Sequence, residues 1–387
     1  MANSKEAVNF KRAFKVPQSK QRGIVLIVVV LAVSLMLTLL TLMIEDQHIF
    51  IRRLANQKVS EQGFQYSQGL NAWAERVLHE DANRAVDSLN ETWAKFGRID
   101  EEPVDDQSES FSLERSTERA LEDAKEEAAI IDFGLDDLEY SIDDLQGRFN
   151  LNNIATKDPL QRKGQKRIFL NLLTVLEIGE FDERDRLYGA LLDWLDDNDL
   201  RSANGFESGH YLSKQTSYYA SDQKLTSTGE LRYLEGYTPE IIKKITPYVT
   251  ALPIENAKIN INTTSPEVLA SLSSANVADT GSVVGFLALR QEPGFRGFQS
   301  AQINDAQSAI IAVSTVRAQP VVDMMQVNSQ FFQINTKVAL GDYVVCMQSV
   351  VLRESAGLNG AAKPKISVLS RQHNTLCEDK ESPPGVT

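Results

Sequence analysis

Histidine and cysteine are scarce in this chain, and the signatures of catalysis are missing. The four histidines, His48, His79, His210 and His373, include no pair at zinc-ligand spacing. No G-x-S-x-G elbow, P-loop or C-x-x-C occurs, so no enzyme is expected and no catalytic residue is named. The only cysteines, Cys346 and Cys377, leave two readings: one disulfide closing a 30-residue loop, worth ~3 kcal/mol, or two free thiols. Positive charge is also short: 40 Lys and Arg stand against 53 Asp and Glu, a net charge of −13. A surface that acidic repels nucleic-acid phosphates and suits cations.

The positive charge that exists is concentrated at the start. Lys5, Lys11, Arg12, Lys15, Lys20 and Arg22 face one acid, Glu6, before Gly23. An uncharged apolar run of 21 residues follows, Ile24 to Ile44. As a helix it is ~30 Å long, the thickness of a bilayer's hydrocarbon core. Positive charge marks the cytoplasmic side, so the N-terminus stays in and the bulk of the chain goes out. A cleaved secretory signal fits poorly, because the run is long and ends in Met43-Ile44-Glu45-Asp46. An ordinary signal anchor and a prepilin-type leader cut after Gly23 both remain open on this segment alone.

Beyond the run, helical spacing persists. No proline and two glycines, Gly63 and Gly69, lie between Glu45 and Lys95. Leu70, Trp73, Ala74, Val77 and Leu78 share a face that Leu89, Trp93 and Phe96 extend, which predicts a helix of roughly 70 residues. The stretch 100–127 holds 12 acids and 3 basic residues and reads as a surface insertion. One or two strands are expected over 128–154 with a turn near Gly147. Helical periods fill 158–197, with further helices at 229–235, 239–252, 265–273 and 278–290. Strands resume at 331–335, 343–352 and 365–369. The simplest architecture is one α+β domain with a helical domain inserted into it.

Two clusters invite a chemical reading. Asp193, Asp196, Asp197, Asn198 and Asp199 precede Glu207, and the alternate spacing lets a turning loop aim oxygens at a hard cation such as calcium. The offsets are not those of an EF-hand. An acidic helix terminus in solvent is the competing reading. The second cluster, INTTSPEVLASL at 261–272 with Ile259 and Asn260 before it, looks like the opening of a helix-hairpin-helix unit of DNA-uptake proteins. The turn expected after it is replaced by Ser273-Ser-Ala-Asn-Val277. It reads as a fold relic without phosphate affinity.

With these residues in view, the chain resembles the K family of minor pseudopilins of type II secretion systems, general secretion pathway protein K. The resemblance rests on Arg22-Gly23 before the apolar helix; Glu61-Gln62, Tyr66, Gly69 and Ala72-Trp73-Ala74; DLQGRFNLNN at 144–153; LDWLD at 192–196; TGELR at 228–232 with Glu235-Gly236; PYVTALP at 247–253; and ININT at 259–263.

The resemblance implies a pilin-like antiparallel sheet domain with an inserted all-α domain behind a transmembrane and stalk helix. It divides the chain into a leader 1–23, a transmembrane helix 24–44, a stalk with the acidic insertion and first strands 45–154, an inserted α-domain 155–305, and remaining sheet 306–387. It implies cleavage by prepilin peptidase between Gly23 and Ile24, N-methylation of Ile24, and a place in the inner membrane with the bulk periplasmic. It implies partnership with minor pseudopilins I and J at a pseudopilus tip, and calcium in the α-domain. Most pilins carry a glutamate at the fifth mature position, which here is Val28, and its absence suits a tip subunit. The leader is longer than the family's usual one, Ile24 replaces a phenylalanine, and Ser208 stands where an acid often follows the glutamate. Alternatives within reach of the sequence are a minor pilin of a type IV pilus and a membrane-anchored DNA receptor.

Overall fold

A computed structural model describes residues 22–81, 85–95, 137–272, 283–290, 295, 297–299, 324–340, 343–354 and 364–373. The leader before Arg22, the acidic stretch 100–127, Phe96 and Cys377 lie outside the described residues.

Helix α1 spans Arg22–Glu80. Residues 24–44 expose apolar side chains all round, Val28 at 60% and Leu37 at 59%, as a helix solvated by lipid must. Among the described residues this is the one helix long and apolar enough to cross a membrane. Its hydroxyls are satisfied internally: Ser34 donates to the Leu31 carbonyl, Thr38 to Ser34 and Thr41 to Leu37. Hydrocarbon offers them no other partner.

From residue 61 the same helix belongs to a second compact unit. Gly63, Ser67, Asn71, Ala74 and Leu78 are buried at a helical period. A Cβ at Gly63 would come within 2.5 Å of Val345 Cγ2, so only glycine admits this approach to the sheet. The helix stops at Glu80, short of the expected 70 residues. Val86, Asp87 and Ser88 are buried in irregular chain, and the Asp87 amide donates to the Val327 carbonyl at 2.8 Å. A four-residue helix α2 (Thr92–Lys95) then returns Trp93 to the same core. The periodicity continued across the break because both pieces of chain meet one apolar surface.

That surface is an antiparallel sheet in the order β1-β6-β7-β8. Strand β1 is Asp137–Asp144, β6 Phe331–Leu340, β7 Tyr343–Glu354 and β8 Lys365–His373. Ala74, Leu78, Trp93, Ile142, Phe332, Ile334 and Val351 form the core between helix and sheet. Trp93 meets Phe332 edge-on at 5.1 Å. Cys346 on β7 is disulfide-bonded.

The neighbours β1 and β6 are far apart in sequence, with Asp144 opposite Phe332. Most of the chain between them forms a helical body. Its order is β2 (Phe149–Asn150), α3 (Pro159–Val175), α4 (Phe181–Leu195), α5 (Ser208–Leu212), α6 (Pro239–Ile245), β3 (Val249–Thr250), β4 (Ile259–Asn260), α7 (Pro266–Ser271), α8 (Val284–Arg290) and β5 (Met325–Gln326). The helical periods over 158–197 form two helices. Glu177 and Gly179, at φ 50° and 57°, turn the chain between them. The helix expected at 239–252 ends at Ile245, and Val249–Thr250 pairs in parallel with β2 instead.

Asparagines hold this body together where strands do not. Asn152 accepts from the Leu225 amide at 2.8 Å and donates to the Leu225 and Leu252 carbonyls. Asn150 accepts from the Leu252 amide, and Asn153 both donates to and accepts from the Ala257 backbone. Asn262 grips the backbone of Phe298 and Val327 in the same way. In the INTTSPEVLASL segment the asparagine, Asn262, is therefore a buried backbone clamp.

One buried polar network joins helix end, sheet and helical body. Arg353 on β7, stacked over Phe332, donates to Asp81 at 2.6 Å and to both oxygens of Asp87 at 2.5 and 2.6 Å. Asp87 accepts from the Ser329 amide, and the Ser329 hydroxyl donates to Asp144. Asp144 also accepts from Thr263 at 2.6 Å and Asn260 at 3.1 Å. Replacing Arg353 by methionine leaves two shielded carboxylates facing each other. The expected loss is ~3–5 kcal/mol, read as a lower urea midpoint for the detergent-solubilised chain.

Candidate metal centre

Helix α4 carries a buried acid at its last turn because its inner face is otherwise apolar: Leu187, Ala190, Leu191 and Trp194 pack inward. Asp193, fully buried, shares that face, and its carboxylate accepts from the Ser202 amide at 3.1 and 3.2 Å. The loop can come that close because Gly189 and Gly205 lack side chains. A Cβ on Gly189 would lie 2.8 Å from the Gly205 amide, and one on Gly205 would overlap the Asp193 carboxylate.

The loop then runs to Glu207, which precedes α5. Glu207 is 9% exposed, and neither of its carboxylate oxygens has a hydrogen-bond partner. Burial and the neighbouring Asp193, Asp196, Asp222 and Asp199 push its carboxyl up to about 7. Burial raises Asp196 as well, with Asp193 adding to it. Asp222 is raised by burial and Asp199, and its Oδ1 is shielded without a partner.

From the expected set, Asp193, Asp196 and Asp199 lie near enough to Glu207 to raise it, Asp193 buried, Asp196 half-buried and Asp199 exposed. Asp197 faces outward, 3.4 Å from the Lys157 ammonium. Asn198 is exposed, and its Oδ1 caps the Leu200 amide at 2.9 Å. Asp222 is the residue that sequence reasoning missed. It lies 15 positions beyond Glu207, in a run with no other acid nearby. Its one distinguishing mark, a φ of 49°, is invisible in sequence.

Shielded, unpartnered oxygens on Glu207 and Asp222, with three further carboxylates near enough to raise Glu207, are a costly arrangement without a cation. Oxygen-only donors of this number fit a hard ion such as calcium. A second acidic trio, Asp81, Asp87 and Glu91, has oxygens within 4.8 Å of one another. It differs in its hydrogen bonds: Arg353 binds the two aspartates, and Glu91 accepts from Ser88 N and Trp93 Nε1, while burial still raises Asp87 and Glu91 to about 7.

A family model described as Type II secretion system (T2SS), protein K matches residues 147–254, a span holding both the asparagine clamps and the acidic loop. The type II secretion system protein K of Pseudomonas aeruginosa is 28% identical over 352 residues, covering 91% of this chain and 92% of its own. That of Aeromonas hydrophila is 27% identical over 348 residues, covering 86% and 93%. A chain in the crystal structure of the GspK-GspI-GspJ complex from the enterotoxigenic Escherichia coli Type 2 Secretion System superposes with a TM-score of 0.60 at 20% identity. It covers 84% of this chain and 100% of that one, which establishes a shared fold. Family model, relatives and fold agree, and the resemblance to type II secretion system protein K stands.

The acidic loop titrates in a predictable direction. Glu207 moves from 4.5 to about 7 on folding, so the folded protein holds that proton more tightly. Its contribution is fully present below pH 4.5 and is lost as pH rises through 7. In chelator, thermal stability should fall over that window. Glu207→Gln should flatten the slope and raise the melting point at pH 8. An unchanged profile would show that the carboxyl is not strained.

Proposed function

We propose that this chain is a minor pseudopilin of a type II secretion system, acting at the tip of the pseudopilus. One observation carries the reading. A helical body is spliced between two adjacent sheet strands, behind an apolar helix whose fifth residue after Gly23 is Val28. A subunit in the middle of a filament has others above it, and a body of this size obstructs such stacking. A glutamate at Val28 would serve a neighbour's N-terminal ammonium inside the membrane, and a tip subunit has less need of one.

On this reading prepilin peptidase cuts between Gly23 and Ile24, and Ile24 is then methylated. The helix from Ile24 anchors the protein in the inner membrane with the bulk in the periplasm. Counterparts of the proteins named with GspK in the enterotoxigenic Escherichia coli complex, GspI and GspJ, are the expected partners. The tip then serves to initiate pseudopilus assembly for protein export. Calcium is the structural ion: Asp193, Asp196, Asp199, Asp222 and Glu207 hold it, and it neutralises the Glu207 carboxylate, which no hydrogen bond answers.

Two experiments test these parts separately. Co-expression with a prepilin peptidase should shorten the chain by ~2.5 kDa, about 23 residues counted from the leader. Ile24 should be the new terminus, and Gly23→Ala should block the cut. No cleavage sinks the pseudopilin reading. Separately, calcium at 100 times its dissociation constant should stabilise the chain by ~2.7 kcal/mol. Asp222→Asn should weaken that shift, and a midpoint indifferent to chelator rules out calcium.

A further inference from the structure

Asn204-Gly205, in the acidic loop, is the one Asn-Gly pair among the described residues. A glycine nitrogen, with no side chain beside it, is the least hindered backbone nitrogen for attack on the side-chain carbonyl of a preceding asparagine. The fold dictates both residues. Asn204 sits at φ 63°, left-handed backbone that asparagine tolerates and most side chains do not. Gly205 is buried, and a Cβ there would overlap the Asp193 carboxylate and lie 2.5 Å from Ser202 Oγ. An ordinary side chain at either position would strain or obstruct the turn.

Two hydrogen bonds hold the pair away from that reaction. Asn204 Nδ2 donates to Asp185 Oδ2 at 2.9 Å, which ties the amide to α4. The Gly205 nitrogen donates to the Ser202 carbonyl at 3.1 Å. Asp185 is also paired with Lys166 at 2.6 Å, and the hydrogen bonds from Lys166 and Asn204 hold its carboxyl below the usual range. An ionised Asp185 has no proton to hand to a departing ammonia. Asn204 itself is exposed, so water meets the amide once these bonds break. The shielded like charges around Glu207 favour the open loop.

We propose that Asn204 is a site of spontaneous modification that the closed loop suppresses and that, once modified, keeps the loop from closing. In the open loop the Gly205 nitrogen gives its proton to solvent and bonds to Asn204 Cγ. Ammonia leaves, and a cyclic imide remains. Water opens that ring at one carbonyl or the other, giving an aspartyl or an isoaspartyl residue at position 204. Neither product fits the closed loop. The aspartyl product replaces the N–H donor with a second carboxylate against Asp185. The isoaspartyl product adds a methylene to the backbone just before Gly205, where even a Cβ has no room. The inference rests on neither the calcium reading nor the secretion reading.

The full-length chain in detergent is aged at neutral pH, with and without urea, and then cut with trypsin. The peptide Ser202–Lys214 has Asn204 as its only side-chain amide, so the mass gained when –OH replaces –NH2 is assigned without ambiguity. Labelling by an isoaspartate methyltransferase counts the rearranged product. Modification should be slower in the native chain than in urea by about tenfold or more, as a loop open in about a tenth of the molecules or fewer requires. Asp185→Ala frees the Asn204 amide and should raise the native rate several-fold. Lys166→Met leaves the Asn204 bond in place and should not. Asn204→Gly keeps the left-handed turn without a Cγ; it should yield no product and melt as wild type does. Modified chains, separated by anion exchange, should melt lower than unmodified ones. Equal rates in the native chain and in urea overturn the proposal. So does a modified chain that keeps the wild-type melting point, or a native rate that Asp185→Ala leaves unchanged.

Discussion

Arg353 donates to Asp81 and Asp87 from a position that water barely reaches, its side chain 4% exposed and that of Asp87 fully buried. Three parts of the chain meet at that guanidinium: the end of the long helix, the irregular segment after it, and the sheet. Through Ser329 and Asp144 the same network reaches Asn260 and Thr263 in the helical body. Apolar contact alone would let these surfaces slide. Directional bonds between shielded groups fix one register, since each slipped register leaves a charge unpaired. A buried ion pair adds little net stability over a well-packed apolar substitute, so its value here is in specifying the join.

The acidic loop is built on the opposite principle. Glu207 and its neighbours carry like charges into a shielded place, and no hydrogen bond answers the Glu207 oxygens. The two clusters are similar in composition and differ in what lies opposite. In one the chain supplies the opposite charge, and in the other the Glu207 oxygens have no hydrogen-bond partner.

Legibility followed the range of the forces involved. The apolar run from Ile24 and the alternation of β6 and β7 are local patterns, and they appear in the fold as read. The fold class, an α+β body behind a long helix, follows from them. The break after Glu80 was hidden because Trp93 rejoins the core that α1 already faces, so the apolar period never faltered. The break after Val175 rests on two left-handed residues, of which only Gly179 is a recognisable signal. Asp193, Asp196, Asp199 and Glu207 could be gathered by proximity in sequence. Asp197 could not be separated from them, because its pairing with Lys157 joins residues 40 positions apart. Asp222 and Arg353 act across long separations, and no spacing rule reaches them.

The placement of the helical body between β1 and β6 also sets an order of events in time. Strand β1 leaves the ribosome roughly 190 residues before its partner. At about 5–20 residues per second that is an interval of some 10–40 s. Throughout it, the inner edge of β1 is an unpaired template for other strands. The helical body folds from contiguous chain, and its two ends then hold the sheet's halves near each other, so closure costs far less than a free loop of that length would. The sheet is sealed by the last strands made, and a chain stopped early carries a folded helical body with an open edge. That edge is a timer: its disappearance marks the arrival of β6, before β7 and β8 extend the sheet.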